Sequence, residues 1–140
     1  MRRNEALDAL ERAETVGTRV RSRGRWYMVF AALFGAATFT LTVVIGLFPS
    51  PVTLLTTTAG FFVFLTALLI FAFRQPVTPR RFGMLHALAM FGWATVYGVT
   101  LFVGNRFFPG DPVWWISGAA LGTVPPLVAG WLAARRSRSA

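Results

Sequence analysis

Charged residues are confined to a few short stretches of this chain, and four apolar blocks lie between them. No charged side chain falls between Arg25 and Arg74, between Arg81 and Arg106, or between Asp111 and Arg135. The first of these gaps is divided by Phe48-Pro49-Ser50-Pro51, a turn sequence. The resulting blocks are 26–48, 51–73, 82–103 and 113–134. At about 1.5 Å per helical residue each is long enough to cross the roughly 30 Å hydrocarbon core of a bilayer. Three of the four open on a capping residue followed by proline: Ser50-Pro51, Thr78-Pro79 and Asp111-Pro112. A capping side chain accepts from the first free helical N–H, and proline suits a position where no N–H is required. The pattern predicts an all-α fold, a four-helix transmembrane bundle built from two hairpins.

Residues 4–20 carry a different period. Ala6, Ala9, Leu10, Ala13, Val16 and Val20 recur near helical spacing, with Asn4 as a candidate N-cap. Glu5, Asp8, Glu11 and Glu14 occupy the early turns, and Arg19 and Arg21 the last, an order that suits the helix dipole. This predicts an N-terminal amphipathic helix outside the membrane. It either lies along the bilayer surface or docks onto a partner or a second copy of the chain. The chain then divides into a helix with its basic juxtamembrane segment (1–25), a membrane domain (26–134) and a basic tail (135–140).

Composition agrees with this division. The chain is 55% hydrophobic and only 14% charged, where soluble domains carry about 25% charged residues. The fourteen basic residues are all arginine and outweigh five acidic ones, for a net charge of +9. No nucleic-acid motif accompanies them, so they read as topology signals and contacts to anionic headgroups, and no nucleic-acid partner is expected. Arg19, Arg21, Arg23 and Arg25 run straight into Trp26 and Tyr27, which look like the basic anchor and aromatic collar of the first span. That span is read as retained rather than as a cleavable leader, because three more spans follow. With both termini in the cytoplasm, every arginine except Arg106 is on the inner side. The expected location is therefore the plasma membrane, a bacterial inner membrane in this reading. The absence of cysteine removes disulfides and thiol chemistry.

Candidate chemistry is sparse. No carboxylate lies inside a span, which argues against proton-coupled export of the small multidrug-resistance type. His86 is the only histidine, so bis-histidine haem ligation and a zinc set are excluded, and no cofactor is expected. In helical register His86 aligns with Met90, Trp93, Tyr97, Thr100 and Gly104, the most polar face of the third span. This stripe is expected to line a small cavity or to pack inward, since lipid offers its polar groups no partner. Pro125-Pro126 removes two backbone donors in the middle of the fourth span and predicts a kink, with Ser117 and Thr123 as candidate partners for the freed carbonyls. Small residues mark expected helix contacts: Ala31, Gly35, Thr38, Thr42 and Gly46 in the first span, Thr53, Thr57, Gly60 and Ala67 in the second, Gly118 and Gly122 in the fourth. Phosphate-binding loops, dinucleotide motifs and carboxylate pairs are absent, and no catalytic constellation is seen.

A faint repeat relates the two hairpins. Phe34-Gly35-x-Ala37-Thr38 recurs as Phe91-Gly92-x-Ala94-Thr95, and Pro51-Val52 as Pro112-Val113. A duplication would place a pseudo-twofold axis along the membrane normal. The 6–13 helix, the Arg23-Gly24-Arg25-Trp26-Tyr27 entry and the Phe34-Gly35-Ala36-Ala37-Thr38 core resemble, in layout, small four-helix membrane proteins of high-GC Gram-positive bacteria. That group implies no established activity and transfers no functional residues. The chain reads as a small non-enzymatic membrane subunit that binds a partner, regulates or assembles. The alternative is a transporter or channel-like protein for a small neutral or lipophilic solute.

Overall fold

The computed structural model describes residues 2–23, 25–75 and 82–136. Five helices follow in order: α1 (Arg2–Arg23), α2 (Arg25–Leu47), α3 (Pro51–Phe73), α4 (Phe82–Phe107) and α5 (Pro112–Arg136). The last four are long and apolar enough to cross a membrane. The protein is an all-α, multi-pass membrane protein with a four-helix bundle and one additional N-terminal helix. Gly24, Thr78-Pro79, Arg80, Arg81 and Arg138 lie outside the described residues, as do the side chains of Arg19, Arg21 and Arg23.

Local chemistry sets the helix ends. Ser50 caps α3: its backbone is extended, its Oγ accepts from the Thr53 N–H at 3.0 Å, and Pro51 follows. Asp111 does the same for α5, its Oδ1 accepting from the Val113 N–H at 2.9 Å. Gly110, with φ 74°, supplies the left-handed residue that brings the chain back. Two ends differ from expectation. Asn4 lies inside α1 rather than at its cap. α4 runs through Gly104, Asn105 and Arg106 to Phe107, a turn beyond the apolar block. The extension holds because the Trp114 indole donates to the Thr100 carbonyl at 3.1 Å, fixing the end of α4 against the start of α5.

Helix α5 sits at the centre. It packs antiparallel to α2 on one side and to α4 on the other, while among the described residues the α3 backbone approaches only α2. Glycines allow the close approaches. A side chain at Gly46 would run into the Trp115 ring, one at Gly118 would meet Thr100, and one at Gly130 would meet Ala31 and Met28. Such contacts hold helices together in lipid, where packing rather than water exclusion drives association. The stripe Ala31, Gly35, Thr38, Thr42 and Gly46 is buried along its whole length, with both threonine hydroxyls returned to their own helix, Thr38 to Phe34 O and Thr42 to Thr38 O. The α3 stripe is not used this way: Gly60 and Ala67 are exposed, and a side chain at Gly60 would meet nothing.

This packing is not twofold. A twofold exchanging α2 with α4 and α3 with α5 would turn the α2–α5 seam into an α4–α3 seam. Among the described residues α3 makes no close backbone approach to α4. Gly35 and Gly92 of the repeated motif both face α5, against Thr123 and Pro125 respectively. One helix thus serves both halves, and the equivalent phenylalanines part: Phe34 is 4% exposed, Phe91 74%.

Candidate functional site

Trp26, Tyr27, Phe30 and Phe34 recur on α2 at steps of three and four, so their rings share one face. That face meets the polar stripe of α4. Tyr27 stacks on Phe30 at 6.0 Å between centroids and Phe30 on Phe34 at 6.3 Å. Phe34 then meets the Trp93 edge at 5.2 Å, and Trp93 stacks on Tyr97 at 5.4 Å. The rings form one ladder across two helices, with Phe61 of α3 against Phe34 at 6.4 Å. His86 closes the lower end, its ring 6.2 Å from Tyr27 and 6.0 Å from Phe30.

The structure therefore places His86, Trp93 and Tyr97 along one packed face and gives each an aromatic neighbour. Thr100 is set apart. It is buried against α5, its hydroxyl donates to Val96 O at 2.7 Å, and its carbonyl receives the Trp114 indole. Rings of α2 pack against His86 and Trp93, and Tyr97 stacks on Trp93 of its own helix. The Trp93 Nε1 donor is buried without an acceptor among the described residues. An unsatisfied donor in such surroundings is a cost that the stacking contacts must offset.

Trp26, at the start of α2, turns inward. It belongs to the core with Tyr27, Leu68, Ala89, Ala129 and Ala133, and its ring meets Tyr27 and Phe30 edge-on. Trp115 likewise points inward, 1% exposed, with its Nε1 donating to Phe108 O at 3.0 Å. An aromatic that does suit a headgroup boundary is Trp131, half exposed with the Arg135 guanidinium 4.3 Å above its ring. Periodicity could have shown that Trp26, Tyr27, Phe30 and Phe34 form a face. It could not have shown what they meet.

No family model, curated protein or solved structure matches the chain.

The Tyr27 hydroxyl and His86 Nδ1 are 3.3 Å apart, long for a hydrogen bond between these groups. No set of three or more His, Asp or Glu side chains able to hold a metal occurs among the described residues. The pair links the start of α2 to the start of α4 and satisfies two polar atoms inside an apolar cluster. Most of what Tyr27 contributes is its buried ring. Tyr27→Phe is expected to lower stability by no more than about 1 kcal/mol, the worth of one ordinary hydrogen bond. Tyr27→Ala should cost about 3 kcal/mol through the cavity it opens. Denaturation midpoints of the two variants in the same micelles check this ordering.

Pro125 and Pro126 lie inside α5. The helix is continuous through Pro125 and Pro126. Pro126 is fully buried and Pro125 packs beside Gly92. Thr123 donates to the Ala120 carbonyl at 2.7 Å rather than to the carbonyls that the prolines release. Gly122 is buried, yet a side chain there would meet nothing, so a small gap lies beside the freed carbonyls.

Proposed function

We propose that this protein is a non-enzymatic membrane subunit whose contact surface is α1. The observation that carries this reading is the state of α1 itself. It is a helix of 22 residues that, among the described residues, approaches only α2. Leu7, Leu10 and Val16 on it are all more than half exposed. Most helical stability in proteins comes from packing an amphipathic face, and the exposed apolar side chains of α1 leave that face open to a partner. The ring-filled space between α2 and α4 favours this over conduction of a solute, which needs an open path between helices. The excess of arginine before α2, between α3 and α4 and after α5, against Arg106 alone between α4 and α5, supports a cytoplasmic location for both termini and for α1.

A photo-crosslinking residue at Leu10, activated in native membranes, tests the proposal. It should give one discrete protein adduct. A chain lacking residues 2–20 should lose co-purification of that partner while the bundle keeps its denaturation midpoint. Adducts to lipid alone would overturn the reading.

A further inference from the structure

We infer that α5 binds a water molecule at mid-membrane, in the gap beside Gly122, where it bridges the Gly122 carbonyl to the Trp93 indole of α4. A helical carbonyl accepts from the N–H four residues on. Pro125 and Pro126 have no N–H, so the carbonyls of Leu121 and Gly122 lose that donor. Gly122 lies ten residues beyond Pro112, the first residue of α5. That is about 15 Å along the axis, close to the centre of a hydrocarbon core of roughly 30 Å. Lipid chains at that depth donate no hydrogen bond.

A freed carbonyl in a membrane helix is served by a neighbouring helix, by a Ser or Thr hydroxyl, by a local change of helix geometry or by ordered water. The threonine hydroxyls nearby are committed. Thr123 donates to Ala120 O, and Thr38 and Thr42 of α2 donate to Phe34 O and Thr38 O. Thr95 and Thr100 of α4 donate to Phe91 O and Val96 O. Each of them serves its own helix. The Trp93 Nε1 donor, in contrast, is buried without an acceptor among the described residues.

Donor and acceptor belong to one layer of the bundle. Gly92 packs against Pro125, and Gly35 against Thr123. Phe34, beside Gly35, meets Trp93, beside Gly92, at 5.2 Å. Three helices therefore close at the level of Gly122. Gly122 is buried, yet a methyl added there would meet no side chain and no other helix within 4 Å. The gap has room for a group of methyl or water size. An apolar occupant would leave the carbonyl and the indole as they are. A water accepts from one and donates to the other. It would fasten α5 to α4 at the point where the prolines interrupt the hydrogen bonds of α5.

The sequence makes this site readable by NMR. With labelled glycine carbonyls and labelled threonine and valine nitrogens, only Gly17-Thr18, Gly98-Val99 and Gly122-Thr123 join a labelled carbonyl to a labelled amide. Solid-state spectra of the full-length chain in lipid bilayers then read magnetisation passed from water to each carbonyl. Gly17, outside the spans, and Gly122 should receive it; Gly98, exposed on the side of α4, should not. No transfer at Gly122, or transfer no faster than at Gly98, would overturn the inference. Trp93→Phe should slow the Gly122 transfer severalfold, and an unchanged transfer would overturn the bridge to α4. Stability gives a second reading that needs no spectrum. In Gly122→Ala the methyl displaces the water and strands both polar groups, so the denaturation midpoint should fall below that of the parent chain. If no water is bound, the methyl fills the gap and the midpoint rises at least as far as in Gly60→Ala, whose added methyl also meets nothing; that rise would overturn the inference.

Discussion

Gly46→Ala unfolds the bundle at a markedly lower denaturant concentration than the parent chain, while Gly60→Ala does not. The added methyl at position 46 would lie inside the Trp115 ring, against Cγ, Cδ2 and Cε3. Trp115 has nowhere to retreat. On its far side a side chain at Gly104 would already meet its Cζ2 at 2.8 Å, and its Nε1 is held by the Phe108 carbonyl. The ring is therefore clamped between two glycines from two helices, and either the α2–α5 seam opens or the ring leaves. Overpacking costs about 1–3 kcal/mol. Losing the indole bond in apolar surroundings adds about 1 kcal/mol or more, so a loss of roughly 3 kcal/mol is expected. Gly60→Ala meets nothing and should be neutral, or gain up to about 1 kcal/mol from helix propensity. Identical midpoints for the two variants would mean that the α2–α5 seam does not depend on this socket.

These two glycines also show where the sequence stopped being informative. The four spans were legible because charged residues punctuate them: Arg25, Arg74, Asp111 and Arg135 are hard boundaries in a bilayer. The neighbours of each span were not. In a soluble bundle, polar residues mark the outer face of every helix. Here the outer face is as apolar as the inner one, as exposed Phe62, Val63 and Phe73 on α3 demonstrate. Small residues were the remaining signal, and they were right for α2 but misleading for α3, because a lipid-facing glycine reads the same as a packed one. Aromatic residues misled in a related way. Trp26 and Tyr27 stand next to an arginine run, as interfacial residues do, yet both rings turn into the core, where Phe30 of α2 meets both and His86 of α4 meets Tyr27. The extra turn of α4 was hidden for a third reason: Gly104-Asn105-Arg106 looks like a loop, and a contact fourteen residues apart, Trp114 to Thr100, makes it helix.

Phe34→Ala and Phe91→Ala remove the same atoms from the same position of the repeated Phe-Gly-x-Ala-Thr motif, and only the first should matter. Phe34 is buried where α2, α3 and α4 come together, touching Phe30, Phe61 and Trp93. Phe91 faces outward from α4. In lipid the transfer term nearly vanishes, because the surrounding chains are as apolar as the core. What is left is the cavity and the lost ring contacts. A cavity of about 100 Å³ at about 24 cal/mol per Å³ costs roughly 2 kcal/mol, less whatever the site recovers by collapse. Lost edge and stacked contacts of about 0.5–1.5 kcal/mol each overlap with that figure rather than add to it. The loss expected for Phe34→Ala is therefore about 2–3 kcal/mol, and for Phe91→Ala close to zero. The consequence should also be local. Because among the described residues the α3 backbone approaches α2 alone, losing the Phe34–Phe61 contact weakens the attachment of α3 before it disturbs the α2–α5–α4 layer. Cysteines placed in α2 and α3 should then crosslink less efficiently in the Phe34→Ala background, while an α2–α5 pair is unaffected. Equal midpoints for the two alanine variants, or parallel losses in both crosslinks, would show that the ladder is not what fastens α3 to the bundle.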